Sequence, residues 1–415
     1  MNGQAAGSAR TVRVDSPTSW LRLGICLLLG TVGGVGLWGV VVVMPAAQAT
    51  FAATRADVSL AYTMAMLGFA FGGVATGRAA DRLGLTVTAI GGACLLGAGF
   101  ALASAAPSLT VFVLAQAVIG IGASATFGPL VADIAGWFAR HRGLAMAVAA
   151  AGNYLAGTIW PPIVEYGITA RGWRTTYLGV GLVCLVSVTG LALLLRRTGR
   201  PPVQPQAVAV GHTSLGLSPG VLQGVLVVAG FACCAAMAMP QVHIVAYCGD
   251  LGYGPARGAQ MLSLMLGFGI VSRVGSGWVA DRIGGLPTLL LGSVMQMIAL
   301  ILYAGFSGLT SLYVISALFG LFQGGIVPSY AIIIRAVFPP RETGARFGLV
   351  LMATILGMAA GGWMSGAIFD ATGSYRVAFL NGVAWNVLNA AIALWLLLRG
   401  WTRRPVLAAG AGVAA

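Results

Sequence analysis

Gly77-Arg78-Ala79-Ala80-Asp81-Arg82-Leu83-Gly84 and Gly277-Trp278-Val279-Ala280-Asp281-Arg282-Ile283-Gly284 are one pattern, G-x-x-x-D-R-x-G, written twice at an offset of 200 residues. Each copy ends one apolar run and precedes another. Gly120 and Gly320 answer each other at the same offset, and Trp173-Arg174 has a counterpart in Tyr375-Arg376. Short Gly-Asp-Arg turns arise by chance. Two at one offset, each closing an even-numbered apolar run, mark an internal duplication, the arrangement that rocking membrane proteins are built on.

Outward from these turns the chain is almost all apolar. It has 415 residues, of which 58% are hydrophobic and 8% charged. Soluble domains carry about 25% charged residues, so this chain has too little polar surface to dress a water-facing core. A bilayer span needs roughly 20 apolar residues, and the hydropathy pattern predicts twelve. The first set is 20–46, 57–79, 85–105, 109–135, 143–166 and 175–196. The second is 218–246, 257–280, 287–306, 309–335, 345–369 and 375–399. The first run is too long for the apolar segment of a cleaved signal and stays as a span. Between the sets, 197–217 is rich in Pro, Gln and Ser and reads as a linker.

The net charge of +14 comes from 23 Arg with no Lys. Most sit in short turns between spans, which is the asymmetry of a membrane protein and not a basic groove with aromatic platforms for nucleic acid. With the N-terminus in the cytoplasm, 17 Arg face inside, and Arg55, Arg171, Arg174, Arg257 and Arg376 face outside. Both termini are therefore expected in the cytoplasm. The six Cys lie in or beside apolar runs and read as small apolar side chains. No GxxxxGK[ST] phosphate loop, zinc spacing or catalytic constellation stands out, so neither cofactor nor enzymatic activity is expected.

The paired loop motif resembles that of the major facilitator superfamily, over about 20–400. Three further stretches are similar to its monocarboxylate porter and oxalate:formate antiporter branch. They are Trp137-Phe138-Ala139-Arg140-His141-Arg142-Gly143 before span 5, Val242-His243 to Gly252 closing span 7, and Arg273 in span 8. The resemblance implies an all-α membrane protein: twelve transmembrane helices in two pseudo-symmetric six-helix bundles. It implies a secondary transporter for a small organic monocarboxylate, with the span-8 Arg binding the carboxylate. It also shows departures. Span 11 lacks the Lys that antiporters pair with that Arg, which favours a monoanion. Gly269 stands where animal porters have an Asp one turn before it, and the span-1 Lys of those porters is missing.

Arg273 also stands out without the resemblance. It lies roughly 12 Å of helix from Asp281 and roughly 24 Å from Arg257, so it is near mid-membrane. An Arg there costs about 2.5–3.5 kcal/mol on insertion scales and needs a wet cavity or a partner. All nine acids map to span ends or loops. An unneutralised guanidinium in a cavity is a bidentate site for a carboxylate; the alternative is hydrogen bonding to helix carbonyls. His243, three residues after Pro240, is a second candidate for substrate or proton. Asn153 and Tyr330 are candidate cavity residues, ahead of Trp38, Tyr62, Tyr154 and Gln323. Asp81, Arg82, Asp281 and Arg282, with Arg142 and with Asp133 as a plausible partner, are expected to act as gates that pair and part at the inner surface.

The expected organisation is a cytoplasmic tail at 1–19, bundles at 20–196 and 218–399 joined by the linker at 197–217, and a second tail at 400–415. The expected setting is a bacterial inner membrane, as a monomer. The expected partners are a small organic anion, a proton and the bilayer, with no nucleic acid. Exchange of the oxalate:formate type and drug or metabolite efflux are the alternatives to proton-linked uptake.

Overall fold

A computed structural model describes residues 14–197, 216–339 and 341–402. The helices are α1 (Pro17–Gly33), α2 (Val35–Phe51), α3 (Arg55–Leu83), α4 (Leu85–Ser104), α5 (Leu109–Ser124), α6 (Gly128–Ile134), α7 (Arg142–Arg171) and α8 (Trp173–Arg197). After the undescribed 198–215 come α9 (Pro219–Asp250), α10 (Pro255–Ile283), α11 (Gly285–Gly305), α12 (Leu309–Gln323), α13 (Ile326–Val337), α14 (Thr343–Thr372) and α15 (Tyr375–Thr402). No strand occurs among the described residues. Both tails and most of the linker lie largely outside the described residues.

Three predicted spans are broken helices. Span 1 is α1 plus α2, interrupted at Gly34. Span 4 is α5 plus α6, and span 10 is α12 plus α13. Eleven spans are long and apolar enough to cross a membrane. The other, α7, has the length at 30 residues but carries Asn153, Tyr154, Thr158 and two prolines. A helix this polar in a bilayer belongs against a cavity or other helices. Leu21, Phe71, Leu182, Val186, Trp278 and Val274 are exposed. On a soluble protein they would form adhesive patches; here they face lipid.

The duplication is visible atom by atom. A Cβ added at Gly120 would lie 2.0 Å from the carbonyl oxygen of Ala65, and one at Gly320 would lie 2.0 Å from that of Met265. Both partners obey the offset of 200, so α3–α5 and α10–α12 cross at the same closely approached point. The final glycines of the loop motif, Gly84 and Gly284, have φ of 86° and 88° with extended ψ. That region is nearly closed to residues with a Cβ, which explains why both copies end in glycine.

Helices α1–α8 pack chiefly on one another, as do α9–α15; the two groups meet along α3–α14 and α7–α10, with α2 against α9. The end carrying Arg22, Arg78, Arg82, Arg142, Arg282 and Arg346 is here termed the Arg-rich end, and the other the Arg-poor end. Among the described residues, every hydrogen bond joining the groups lies in the Arg-poor half or at mid-span. Asp370 accepts from Arg55 N–H and Ala56 N–H, Arg55 binds Asp250, Thr63 binds the Ala359 carbonyl, and Ser263 binds the Thr158 carbonyl. The seam is closed at the Arg-poor end and unjoined towards the Arg-rich end.

Candidate functional site

Arg273 projects from α10 towards α7, its guanidinium carbon 4.4 Å from the centre of the Tyr154 ring. The ring reaches this place because α10 carries no side chain one turn earlier. A Cβ at Gly269 would lie 2.5 Å from Cε1 of Tyr154. The position where animal porters have an Asp is therefore filled here by an aromatic face. A cation over that face gains roughly 0.5–2 kcal/mol without being neutralised.

Among the described residues the ion pairs are Arg22–Asp133, Arg55–Asp250 and Arg346–Glu342. Arg273 belongs to none. Its Nε is buried with no hydrogen-bond partner, and the carbonyl-bonding alternative is not realised. The residue as a whole is half-buried.

Asn153, adjacent to Tyr154 on α7, faces α2. The Trp38 indole N–H donates to its backbone carbonyl at 3.0 Å and to its Oδ1 at 3.2 Å. That fixes the amide with its NH2 lacking a partner among the described residues. Trp38 lies close against Gly157, whose added Cβ would be 3.0 Å from the indole. Tyr154 and Arg273 thus meet between α7 and α10, and Asn153 and Trp38 meet between α7 and α2. A cation and an amide donor on neighbouring positions have the chemistry to receive an anion.

The Major Facilitator Superfamily model matches residues 26–311 and 276–413. The chain belongs to this superfamily. Its relatives include Monocarboxylate transporter 13 of Rattus norvegicus, 28% identical over 332 residues, 79% of this chain and 76% of that one. The MFS-type transporter pynF of Aspergillus niger is 24% identical over 77% of this chain and 74% of its own length. The Fujikurins efflux protein of Gibberella fujikuroi is 26% identical over 72% and 68%. Among solved structures, a bacterial homologue of the human lysosomal transporter Spinster, in inward-facing and unoccupied conformation, superposes with a TM-score of 0.68 at 16% identity. The match covers 93% of this chain and 98% of that one. The occupied form of the same conformation gives a TM-score of 0.70. As a superfamily member the chain is a multi-pass membrane transporter, and its relatives are transporters, not enzymes.

Of the other residues singled out by sequence, His243 lies apart from Arg273's junction. It is buried on α9, with Nε2 2.8 Å from the Gly362 carbonyl and Nδ1 3.0 Å from the Tyr375 hydroxyl. A carbonyl only accepts, so Nε2 carries the hydrogen, and a neutral ring accepts from Tyr375 at Nδ1. Both nitrogens are occupied within the second bundle, so no lone pair or N–H is left for substrate. Tyr330 also lies away from Arg273. It is fully buried on α13, its hydroxyl donating to Asn389 Oδ1 at 2.8 Å, and Asn389 in turn donates to Ser293. Helix α13 packs on α11, α14, α10 and α9, and the Tyr330 ring is enclosed with its hydroxyl spent on Asn389 of α15, which corrects the expectation that it lines the cavity. Tyr62 is buried in the α3–α14 seam against Gly362, and Gln323 accepts from Gln241 at 2.7 Å.

The expected inner-surface gate is not assembled. Asp133 is held by Arg22 in two bonds of 2.6 and 3.0 Å, since α6 faces α1, and the Trp137 ring covers that guanidinium. Asp81, Arg82, Asp281 and Arg142 are exposed and form no ion pair among the described residues. Arg282 lies 3.6 Å over the Trp278 ring. Sequence reasoning read Arg55 as a topology marker and Asp250 and Asp370 only as acids at span ends or loops. The available signal was two acids and a cation at span ends of opposite halves on one side of the membrane.

Proposed function

We propose that this chain carries a small organic monocarboxylate anion across the bacterial inner membrane by alternating access. Arg273 takes the carboxylate, Tyr154 backs the guanidinium, and the Asn153 amide donates to the anion or its substituent. The observation carrying this reading is a guanidinium at mid-span without an acidic neighbour. Burying it without a counter-ion is costly, and a carboxylate from solution supplies one in bidentate geometry. The missing second cation favours one carboxylate over two.

The arginine asymmetry supports an orientation with both termini in the cytoplasm. The seam is then closed on the outside and the site opens inward. A proton moving with the anion fits the same chemistry, since the pair crosses without net charge and the membrane potential does not oppose uptake; His243 is its candidate carrier, acting through the Tyr375 hydroxyl and not by touching the anion. The fungal relatives, one of them named as an efflux protein, favour a second reading: the same site exporting a carboxylate-bearing metabolite.

The test is a thermal-shift panel of carboxylates on the purified protein, followed by flux in liposomes. A ligand that binds only the folded state raises Tm. The true anion should stabilise wild type and fail to stabilise Arg273→Ala, with flux reduced by about a hundredfold or more, the scale of an unpaired buried charge contact. Undiminished flux in both Arg273→Ala and Arg273→Lys would end the proposal.

A further inference from the structure

A groove apart from the carboxylate site runs between α7 of the first bundle and α10 of the second. It holds about 430 Å³ and is walled by Thr158, Pro162, Leu264, Gly267, Phe268 and Val271. Its floor follows from the sequence. Pro162 has no N–H, so the Thr158 carbonyl four residues back loses its helical donor, and the Ser263 hydroxyl donates to that carbonyl from the other helix. Gly267 gives the groove its depth. A Cβ added there would lie 3.5 Å from Cγ2 of Thr158, an ordinary contact. Ile159, Ile163, Phe268 and Val271 are exposed along its rims, so the groove is continuous with the lipid-facing surface.

The mouth of the groove is charged. Helix α7 rises towards the Arg-poor end, and α10 descends from it. Counted from the Thr158–Ser263 contact, Glu165 is seven residues up α7, roughly 10 Å, and Arg257 is six residues up α10, roughly 9 Å. The two therefore stand at one height. The spacing 158, 162, 165 puts Glu165 on the groove face of α7, and 257, 260, 264 does the same for Arg257 on α10. Gln260, one turn below Arg257, lines the groove. Its Oε1 accepts from Arg257 Nη1 at 3.3 Å and from the Tyr313 hydroxyl at 2.5 Å. Glu165 is half-buried and accepts from the Thr169 hydroxyl at 3.0 Å. Neither charge belongs to an ion pair among the described residues.

We propose that this groove seats one acyl chain of an aminophospholipid from the leaflet at the Arg-poor end, with the headgroup ammonium on Glu165 and the phosphate on Arg257. An apolar slot that opens sideways in a bilayer is filled by lipid, because water there would lose hydrogen bonds to apolar walls. A carboxylate nearly two turns below the end of α7 is costly without a counter-ion. A primary ammonium brings that charge and three donors, and a guanidinium receives a phosphate in bidentate geometry. A choline headgroup has no N–H to give Glu165, and a glycerol headgroup has no cation. The pairing thus selects ethanolamine. A lipid so placed touches both bundles. The proposal needs only that the chain spans a bilayer and is independent of what Arg273 binds.

The experiment reconstitutes the full chain in vesicles containing a trace of phosphatidylethanolamine with a photoactivatable diazirine in one acyl chain. Irradiation followed by mass spectrometry locates the adducts, which are expected within 158–162 and 260–271. Phosphatidylcholine and phosphatidylglycerol carrying the same chain should label those segments about twofold to fivefold less, the range of one partly exposed ion pair. Glu165→Gln should erase the preference for ethanolamine over choline, and Arg257→Gln should lower labelling by the ethanolamine lipid to a similar degree. Gly267→Leu builds into the slot and should reduce labelling by all three lipids; Val271→Trp does the same if that variant does not fold. Equal labelling by the three headgroups, or an ethanolamine preference that survives Glu165→Gln, would overturn the proposal. So would undiminished labelling once the slot is filled.

Discussion

At Gly269 and Tyr154 two residues share one space. The ring fits only because α10 has no Cβ there, and it takes the place from which an acid would reach Arg273. Gly269→Asp alone should therefore displace the ring or fold poorly, since its Cβ would meet carbons of Tyr154. In Gly269→Asp/Tyr154→Ala the carboxylate has room and should pair with Arg273. Anion binding, read by thermal shift, should then weaken by about tenfold or more, because the ligand competes with a built-in counter-ion. Anion affinity equal to wild type in that double variant would show that Arg273 is not the ligand. Arg273 was legible because a charge inside a span has no bland explanation. His243 was not placed correctly because faces cannot be ranked on a helix that is apolar nearly all round, as α9 is, and Tyr330 was not because its partner sits 59 residues away on another helix. Only the packing reveals that Tyr330 points to Asn389.

Among the elements, α14 and α3 approach most closely where α14 has Gly362 and Gly366. A Cβ at Gly362 would meet Cδ1 of Tyr62 at 2.9 Å. Gly366→Val should wedge the seam at the Arg-poor end and speed the labelling of a Thr63→Cys thiol by a membrane-impermeant methanethiosulfonate added from that side; labelling no faster than in Thr63→Cys alone would show that the seam tolerates the added bulk. At the opposite end the segment before α1 is tied down by Asp15. Its N–H donates to the Trp137 carbonyl, and its carboxylate accepts from Ala139 N–H and Arg140 N–H. Those bonds, the Arg140 N–H first, lower the Asp15 pKa from its ordinary value. A lowered folded-state pKa gives stability that is present above the unfolded value of about 3.9 and is lost as pH falls through the folded value. The Tm gap between wild type and Asp15→Ala should accordingly be open at pH 7 and close below about pH 4; a gap that widens on acidification would refute the strap. Helix positions and most boundaries could be read from hydropathy and glycine turns. The breaks between α5 and α6 and between α12 and α13 could not, because both sides are apolar and the Gly324–Gly325 step resembles any glycine-rich packing face. Nor could Asp133's partner, since Arg22 lies 111 residues away.

At the scale of the whole molecule, the offset of 200 residues recurs in the loop motif, in the φ of Gly84 and Gly284, and in the crossings at Gly120 and Gly320. The repetition was readable because each feature is a glycine requirement. The seam between the bundles was not, because its ionic partners, Arg55, Asp250 and Asp370, sit at helix ends that sequence can assign only to a side. Two similar bodies that touch at one end and part at the other have a simple mechanical alternative, in which contact shifts to the Arg-rich end and the exposed Asp81, Arg82, Asp281 and Arg282 come into play. A disulfide across the closed end separates binding from that movement. In Thr63→Cys/Ala359→Cys, whose side chain and carbonyl now hydrogen-bond at 2.9 Å, oxidation should abolish flux, and reduction should restore it. The anion should still raise Tm in the oxidised state, because Arg273 remains open from the other side. Flux that survives quantitative cross-linking would mean that the Arg-poor seam never opens, and that the anion takes another path past Arg273.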